Sequence, residues 1–183
     1  MLVYVFLGMA HRELLPHSCG MERTNRPTSA QGSTDTAGAP ALRDAAAILA
    51  RAQADEAAAD AARERYRTQP MAALDPDARI GPLLVSGERV PAVRRSAMVD
   101  RREPALGWDE PSGLAGDLYL TSRRLVLVGR HTLSLELDEI EEAMLSGDQL
   151  LLVMRGGQGA ALGVAQPRLL RVEIAAARAF ARA

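Results

Sequence analysis

In the second half of the chain, large apolar residues recur at every second position, which is the period of a β-strand with one buried face. The clearest example is TLSLEL, residues 132–137, where Leu133, Leu135 and Leu137 fall on one side. Short polar or glycine-bearing stretches separate successive runs, as they do in β-hairpins. The pattern predicts antiparallel strands at about residues 89–100, 118–121, 125–128, 132–137, 143–145, 149–154 and 160–165.

The period becomes helical after Pro167, a residue that suits the first turn of a helix. Five apolar side chains then share one broad face: Leu169, Leu170, Ile174, Ala177 and Phe180. Four arginines lie on the opposite side: Arg168, Arg171, Arg178 and Arg182. We expect this amphipathic helix to cover the sheets. Because Glu173 lies within the apolar face, it should pair with a sheet arginine such as Arg124.

Residues 41–67 predict one long helix, because strong helix formers follow one another without glycine or proline. Its contact face consists of alanine, apart from a few larger residues such as Ile48 and Leu49. Two roles follow from this composition. The helix is either a solvated spacer or an alanine-faced partner in close helix pairing. The proline-bearing residues 68–79 are predicted to be a linker, so that a compact domain occupies residues 80–183.

Residues 1–40 are predicted to be disordered or to include a wrongly assigned start. Residues 22–40 are rich in Ser, Thr, Gly and Pro and cannot offset the entropy of ordering. The apolar start MLVYVFLGMA is far shorter than the roughly 20 residues that span a bilayer. We interpret Met21 as the native start. Cys19 is the only cysteine, so no intrachain disulfide requires an oxidising compartment, and we expect a cytoplasmic protein.

Composition and charge limit the classes of partner that the chain can bind. The formal net charge is −1, so the chain as a whole does not attract nucleic acid or anionic lipid, and any such binding needs a local patch. Aromatic residues make up only 3%, so Leu, Val and Ile must build the core. Every basic residue is arginine, which with the abundant Ala, Gly and Pro is typical of a high-GC bacterial genome.

The sequence contains no recognisable catalytic or metal-binding pattern. His11, His17 and His131 are scattered, and no Cys/His spacing supports a metal site. GQGAALG, residues 157–163, does not match a nucleotide-binding loop, because strand-like sequence follows where a helix is needed. The acidic stretch LDEIEE, residues 137–142, lacks the glycine of a calcium loop. We therefore predict no catalytic residue, no cofactor and no enzymatic activity.

Three stretches carry a resemblance to a family. LLVSGERV, residues 83–90, is similar to the Leu-x-x-Gly-Glu segment before the first strand of GRAM domains, a branch of the pleckstrin-homology-like (PH-like) domains. GDLYLTSRRLVLVG, residues 116–129, resembles their Gly-x-Leu-Tyr-Leu-Thr-x-x-Arg-Leu hairpin, with Arg124 as the arginine. Leu137 and Ile140 resemble the Leu-x-x-Ile step that follows. The resemblance covers about residues 80–183, but AALGVA lacks the aromatic residue that such domains often carry before the last helix.

The resemblance implies a mainly β fold with added helices: a PH-like antiparallel β-sandwich or barrel, capped by the C-terminal helix and preceded by the alanine-rich helix. It also implies that the loop after the first strand is where lipid-binding relatives hold phosphates. Five arginines are candidates for an anion or lipid site, alongside the alternative that they form ion pairs within the protein: Arg94, Arg95, Arg101, Arg102 and Arg124.

Two functions remain open from the sequence. The first is a binding or scaffolding module that acts through protein contacts, either with an unknown partner or by self-association of the long helix. The second is a peripheral membrane adaptor that binds anionic head groups through the arginines. Asp100 and Glu103 are interleaved with these arginines and favour the first function, because they can neutralise the cluster. Neither function involves nucleic acid.

Overall fold

The computed structural model describes residues 38–102 and 113–181, with side chains for 43–101 and 113–180. Residues 1–37, which include Cys19 and most of the predicted disordered head, and residues 103–112 lie outside the described residues. The prediction of disorder is wrong for residues 38–40, because they form the start of a helix. The elements are α1 (Gly38–Tyr66), a 3-10 turn (Gly81–Leu83), β1 (Ala92–Arg102), β2 (Gly113–Leu120), β3 (Arg124–Gly129), β4 (Thr132–Glu136), β5 (Ile140–Ser146), β6 (Gln149–Met154), β7 (Gly159–Gly163) and α2 (Pro167–Ala181). No described helix is both long and apolar enough to cross a bilayer.

The strands form one antiparallel sheet in the order β4-β3-β2-β1-β7-β6-β5. Strands β4 and β5 are consecutive in the chain but lie at opposite edges of this order, and only residues 137–139 join them. Three extended residues span about 10 Å, so the sheet must curl until its two edges approach each other. The predicted fold class, an antiparallel β-structure with a C-terminal helix and a long alanine-rich helix before it, is confirmed.

The main core fills the concave side of the curled sheet. It holds the inward-facing leucines that the alternation predicted, including Leu118, Leu127 and Leu135, each at most 6% exposed. The helix α2 covers this core with Leu170, Ile174 and Ala177, as its apolar face predicted. Phe180 is the exception, since it is 46% exposed. The last turn of α2 extends past Ala177, which is its final buried contact with the core.

A second apolar cluster on the opposite face of the sheet was not predicted. Tyr119, Val126 and Val128 point away from the main core, yet they are 2%, 1% and 9% exposed. Ile80 and Val90 cover them, because the chain between α1 and β1 folds back across the outer face of β2 and β3. Residues 68–79, predicted as a linker, also contact the domain: Leu74 pairs with Val90 in an isolated antiparallel bridge.

The hairpin of β2 and β3 depends on a pair of glycines. Gly116 and Gly129 face each other across the two strands. A Cβ atom at Gly129 would overlap the carbonyl oxygen of Ala115, and one at Gly116 would lie 2.6 Å from the carbonyl oxygen of Val128. Only glycine permits the backbones to approach this closely, so these two positions fix the geometry of the hairpin.

The second half of α1 packs against α2. The buried carboxylate of Asp55 accepts hydrogen bonds from the amides of Arg168 and Leu169, at 2.9 and 3.0 Å, and so caps the start of α2. One and two turns further along α1, Ala59 and Ala62 are fully buried against Val172. Of the two roles predicted for the alanine-rich helix, close helix pairing is therefore observed, within the same chain.

Candidate functional site

The residues that carry the family resemblance form a buried latch between the chain before β1 and the β2–β3 turn. The carboxylate of Glu88 accepts hydrogen bonds from Arg124 Nε at 2.9 Å and Nη2 at 3.0 Å, and from the Thr121 hydroxyl at 2.6 Å. The Thr121 oxygen in turn accepts the amides of Arg123 and Arg124, at 3.1 and 2.9 Å. Thr121 is fully buried and Glu88 is 7% exposed.

This latch keeps Glu88 ionised and occupies Arg124. Burial opposes ionisation of Glu88, but the hydrogen bonds from Arg124 and Thr121 outweigh it and lower the pKa of the carboxyl group. Arg124 Nη2 also donates to the carbonyl of Leu83 at 2.7 Å. The arginine of the resembling hairpin motif thus holds the fold together through a carboxylate, which is the ion-pair alternative stated above.

Arg95 belongs to a second network on the outer face of β1 and β2. Its guanidinium group donates to Asp117 at 2.6 Å, to Asp77 at 3.0 Å and to the Tyr119 hydroxyl at 3.1 Å. Arg79 Nη1 also donates to Asp117 Oδ2, at 2.6 Å. The hydrogen bond from Tyr119, followed by those from the Ile80 amide and Arg95, lowers the pKa of Asp77 to about 2. This network fastens residues 77–80 onto the sheet.

Arg94 lies next to Arg95 in the sequence but contacts α2. Its Nη2 donates to Glu173 at 2.7 Å, and both side chains are about nine-tenths buried. The expected pairing of Glu173 with a sheet arginine is therefore confirmed, but the example named, Arg124, is not the partner. The partner is Arg94, because neighbouring residues of a strand point to opposite faces of the sheet. A bulge follows immediately, between Arg94 and Ala97, with Ser96 in the left-handed region at a φ of 55°.

The structure does not bring the five candidate arginines together. Arg101 bonds to Gln158 at 2.8 Å, near the far end of β1, and the side chain of Arg102 lies outside the described residues. Seven strand residues separate Arg101 from Arg94, which corresponds to roughly 20 Å. Arg94, Arg95 and Arg124 each bind a different carboxylate. An anion or lipid role for these five residues stays a prediction.

The first half of α1 presents a surface that the sequence predicted only as an alanine face. The positions that pack on α2 follow a 3-4 spacing through Asp55, Ala59 and Ala62. The same spacing continues backwards through Ala52, which is partly buried, to Ile48 and Ala45, which are exposed, because α2 begins beside Asp55. Ile48 is 61% exposed and the neighbouring Leu49 is 59% exposed. We call residues 43–54 the free half of α1.

Comparison with known proteins identifies no family and finds distant structural similarity. No family model matches the chain, and no curated protein matches it. Solved structures similar to it include the Vps36 N-terminal PH domain, at 19% identity and a TM-score of 0.41, covering 61% of this chain and 92% of that one. Another is the C-terminal domain of an unknown protein from Leishmania infantum, at 17% identity and a TM-score of 0.34, covering 46% of this chain and 75% of that one.

Proposed function

We propose that the chain is a non-enzymatic binding module that acts through protein contacts, and that it self-associates through the free half of α1. The observation that carries the proposal is the continuation of one helix face beyond the end of its partner. Where α2 covers this face, Ala59 is 0% exposed and Ala62 is 1% exposed; where α2 is missing, Ile48 is 61% exposed. Among the residues that the structure describes, no second helix covers this part of the face.

The partner best matched to this face is the same segment of a second copy. Alanines at the 3-4 spaced positions allow two helices to approach closely, as α1 and α2 already do. Ile48 supplies a large apolar side chain at the centre of the helix face in the free half of α1, and its burial would contribute about 1.5–3 kcal/mol in each copy. Arg43, Asp44 and Arg51 give the free half only a small net charge, so two copies repel each other weakly.

The PH-like domain holds the second half of α1 in place through its contacts with α2. Asp55 anchors α1 to the start of α2, and α2 is itself anchored in the main core. Asp77, Glu88 and Asp117 have pKa values lowered by hydrogen bonds that include arginine or tyrosine partners, so they stay ionised at neutral pH. Burial raises the pKa of Glu173, which is bound by Arg94 in a structural ion pair. Such groups suit structural ion pairs better than proton transfer, which supports a non-enzymatic role. Membership of the GRAM branch, a bacterial source and a cytoplasmic location belong to the same proposal.

Light scattering coupled to size exclusion, on the full chain at increasing concentration, tests the self-association. We expect a mass that rises toward the dimer and that falls to the monomer in Ile48→Asp. Ala50→Asp is the matched control, because it introduces the same side chain on the opposite side of the free half, at a helix-propensity cost that is larger than that of Ile48→Asp. A wild-type chain that stays monomeric up to millimolar concentration, or equal effects of the two variants, would contradict the proposal.

A further inference from the structure

A cleft of about 660 Å³ opens between the chain before β1, the β2–β3 turn, the β4–β5 connection and the C-terminal end of α2. Its size lies within the range of ligand-binding pockets, roughly 300–1,000 Å³. The polar part of the lining includes Arg89, Arg123 and Arg178, and the apolar part includes Met71 and Phe180. None of these three arginines is among the candidates that the sequence suggested.

The cleft arginines differ from four arginines of the domain that are held in ion pairs. Arg79, Arg94, Arg95 and Arg124 each bind an aspartate or a glutamate. In contrast, the guanidinium groups of the three cleft arginines have no carboxylate partner within residues 38–102 and 113–181. The Nε atom of Arg178 is buried without a hydrogen-bond acceptor, as is the Nε atom of Arg94 outside the cleft. The three guanidinium groups that line the cleft can therefore bind a carboxylate that a ligand supplies.

The cleft also contains two acidic residues, which limit the charge of a suitable ligand. Glu136 faces Arg124 across the β3–β4 pair, so an arginine already lies beside it. Asp138 is exposed at the rim, and Arg155 donates to its carbonyl oxygen at 3.1 Å. A ligand with many negative charges would be repelled by these groups. A single carboxylate directed at Arg178 would not be.

We infer that this cleft binds an extended peptide segment of a partner protein in which one acidic side chain stands between two apolar ones. The carboxylate would accept the unused donors of Arg178, with Arg123 and Arg89 beside it, since a guanidinium fork matches a carboxylate with two hydrogen bonds. The flanking apolar side chains would cover Met71 and the half-exposed ring of Phe180. The inference uses residues separate from the free half of α1 and does not depend on self-association.

The test is a titration of the isotope-labelled full chain, followed by NMR, with a blocked pentapeptide that carries one glutamate between two leucines. We expect saturable shifts of the amide signals of Arg123 and Arg178. The matched peptide with glutamine in place of glutamate should bind at least about tenfold more weakly, because a charge-assisted hydrogen bond contributes about 1.5–3 kcal/mol.

Two charge-reversal variants test whether the peptide binds at this cleft. Arg123→Glu should weaken binding of the glutamate peptide at least about tenfold, because it reverses an exposed charge at the cleft without removing any described side-chain bond. Arg130→Glu makes the same exchange at an exposed position in the β3–β4 turn, away from the cleft lining, and should leave binding unchanged. The inference is overturned if the glutamate peptide does not bind, if both variants weaken it equally, or if inorganic phosphate alone reproduces the shifts with higher affinity.

Discussion

Replacing Thr121 with valine tests whether the latch of Glu88, Thr121 and Arg124 stabilises the domain. Valine has nearly the same shape as threonine, so the substitution removes the hydroxyl group with little change in packing. It takes one donor from the Glu88 carboxylate and one acceptor from the amides of Arg123 and Arg124. All of this happens at a residue with no solvent exposure, so water cannot replace the lost partners.

The expected loss in the free energy of unfolding follows from these hydrogen bonds. A hydrogen bond to a charged group contributes about 1.5–3 kcal/mol, and each bond between neutral groups contributes about 0.5–1.5 kcal/mol. One bond of the first kind and two of the second are lost, and the effects of neighbouring bonds do not add fully. We expect the free energy of unfolding to fall by about 3 kcal/mol, a large part of the roughly 5–15 kcal/mol typical of a domain.

Urea unfolding followed by circular dichroism measures this change through the midpoint, provided that the slope stays constant. Thr132→Val is the matched control, because Thr132 is an exposed threonine on β4, and it should change stability by less than about 0.5 kcal/mol. Thr121→Ser keeps the hydroxyl and should lose clearly less than Thr121→Val. A Thr121→Val protein as stable as the Thr132→Val protein would refute the structural role of the latch.

Four further predictions follow from the ion pairs and the close backbone contact. Because the pKa of Asp77 is lowered to about 2 in the fold, its carboxylate stabilises the domain fully above about pH 4, and this stabilisation is lost as the pH falls toward 2. Asp77→Asn should therefore make the thermal unfolding temperature depend less on pH between about 4 and 2. Arg94→Met should lower the free energy of unfolding by about 3 kcal/mol in urea because it leaves Glu173 buried without a partner, and Arg94→Met with Glu173→Leu should recover most of the loss. Gly129→Ala should destabilise the domain far more than Gly81→Ala in the same assay, since a Cβ at Gly81 meets no atom within 4 Å. Co-sedimentation with anionic liposomes should show little binding, because Arg94, Arg95 and Arg124 are engaged by carboxylates. Strong, salt-sensitive binding of the wild type would instead favour the membrane adaptor, if the double variant Arg101→Glu with Arg102→Glu abolishes it.

Local periodicity predicted most of the fold. The alternation of Leu133, Leu135 and Leu137 and the broad apolar face of α2 correspond to the main core. Gly147, in the β5–β6 turn, has a φ of 61°, a conformation that glycine adopts readily. These features depend on residues close together in the sequence, so one sequence is enough to find them.

The features that the sequence did not show depend on contacts between distant segments. Tyr119 and Val126 looked like the outer positions of half-exposed strands, because nothing in the proline-bearing residues 68–90 indicated that they fold back over the sheet. The partner of Glu173 was wrong for the same kind of reason: the choice between Arg94 and Arg124 is decided by register and by the bulge after Arg94. The arginines of the cleft gave no signal, since each comes from a different part of the chain.

The anchoring of α1 by Asp55 has a consequence for how the protein is made. The amides that bind this carboxylate lie 113 and 114 residues further along the chain. At a synthesis rate of roughly 5–20 residues per second, α1 leaves the ribosome roughly 6 to 20 seconds before the segment that covers it. During that interval its seam is exposed along its whole length, so the nascent chain offers a longer helical contact surface than the finished protein. Completion of α2 confines that surface to residues 43–54, and translation itself thus sets when the helix acquires its final, shorter surface.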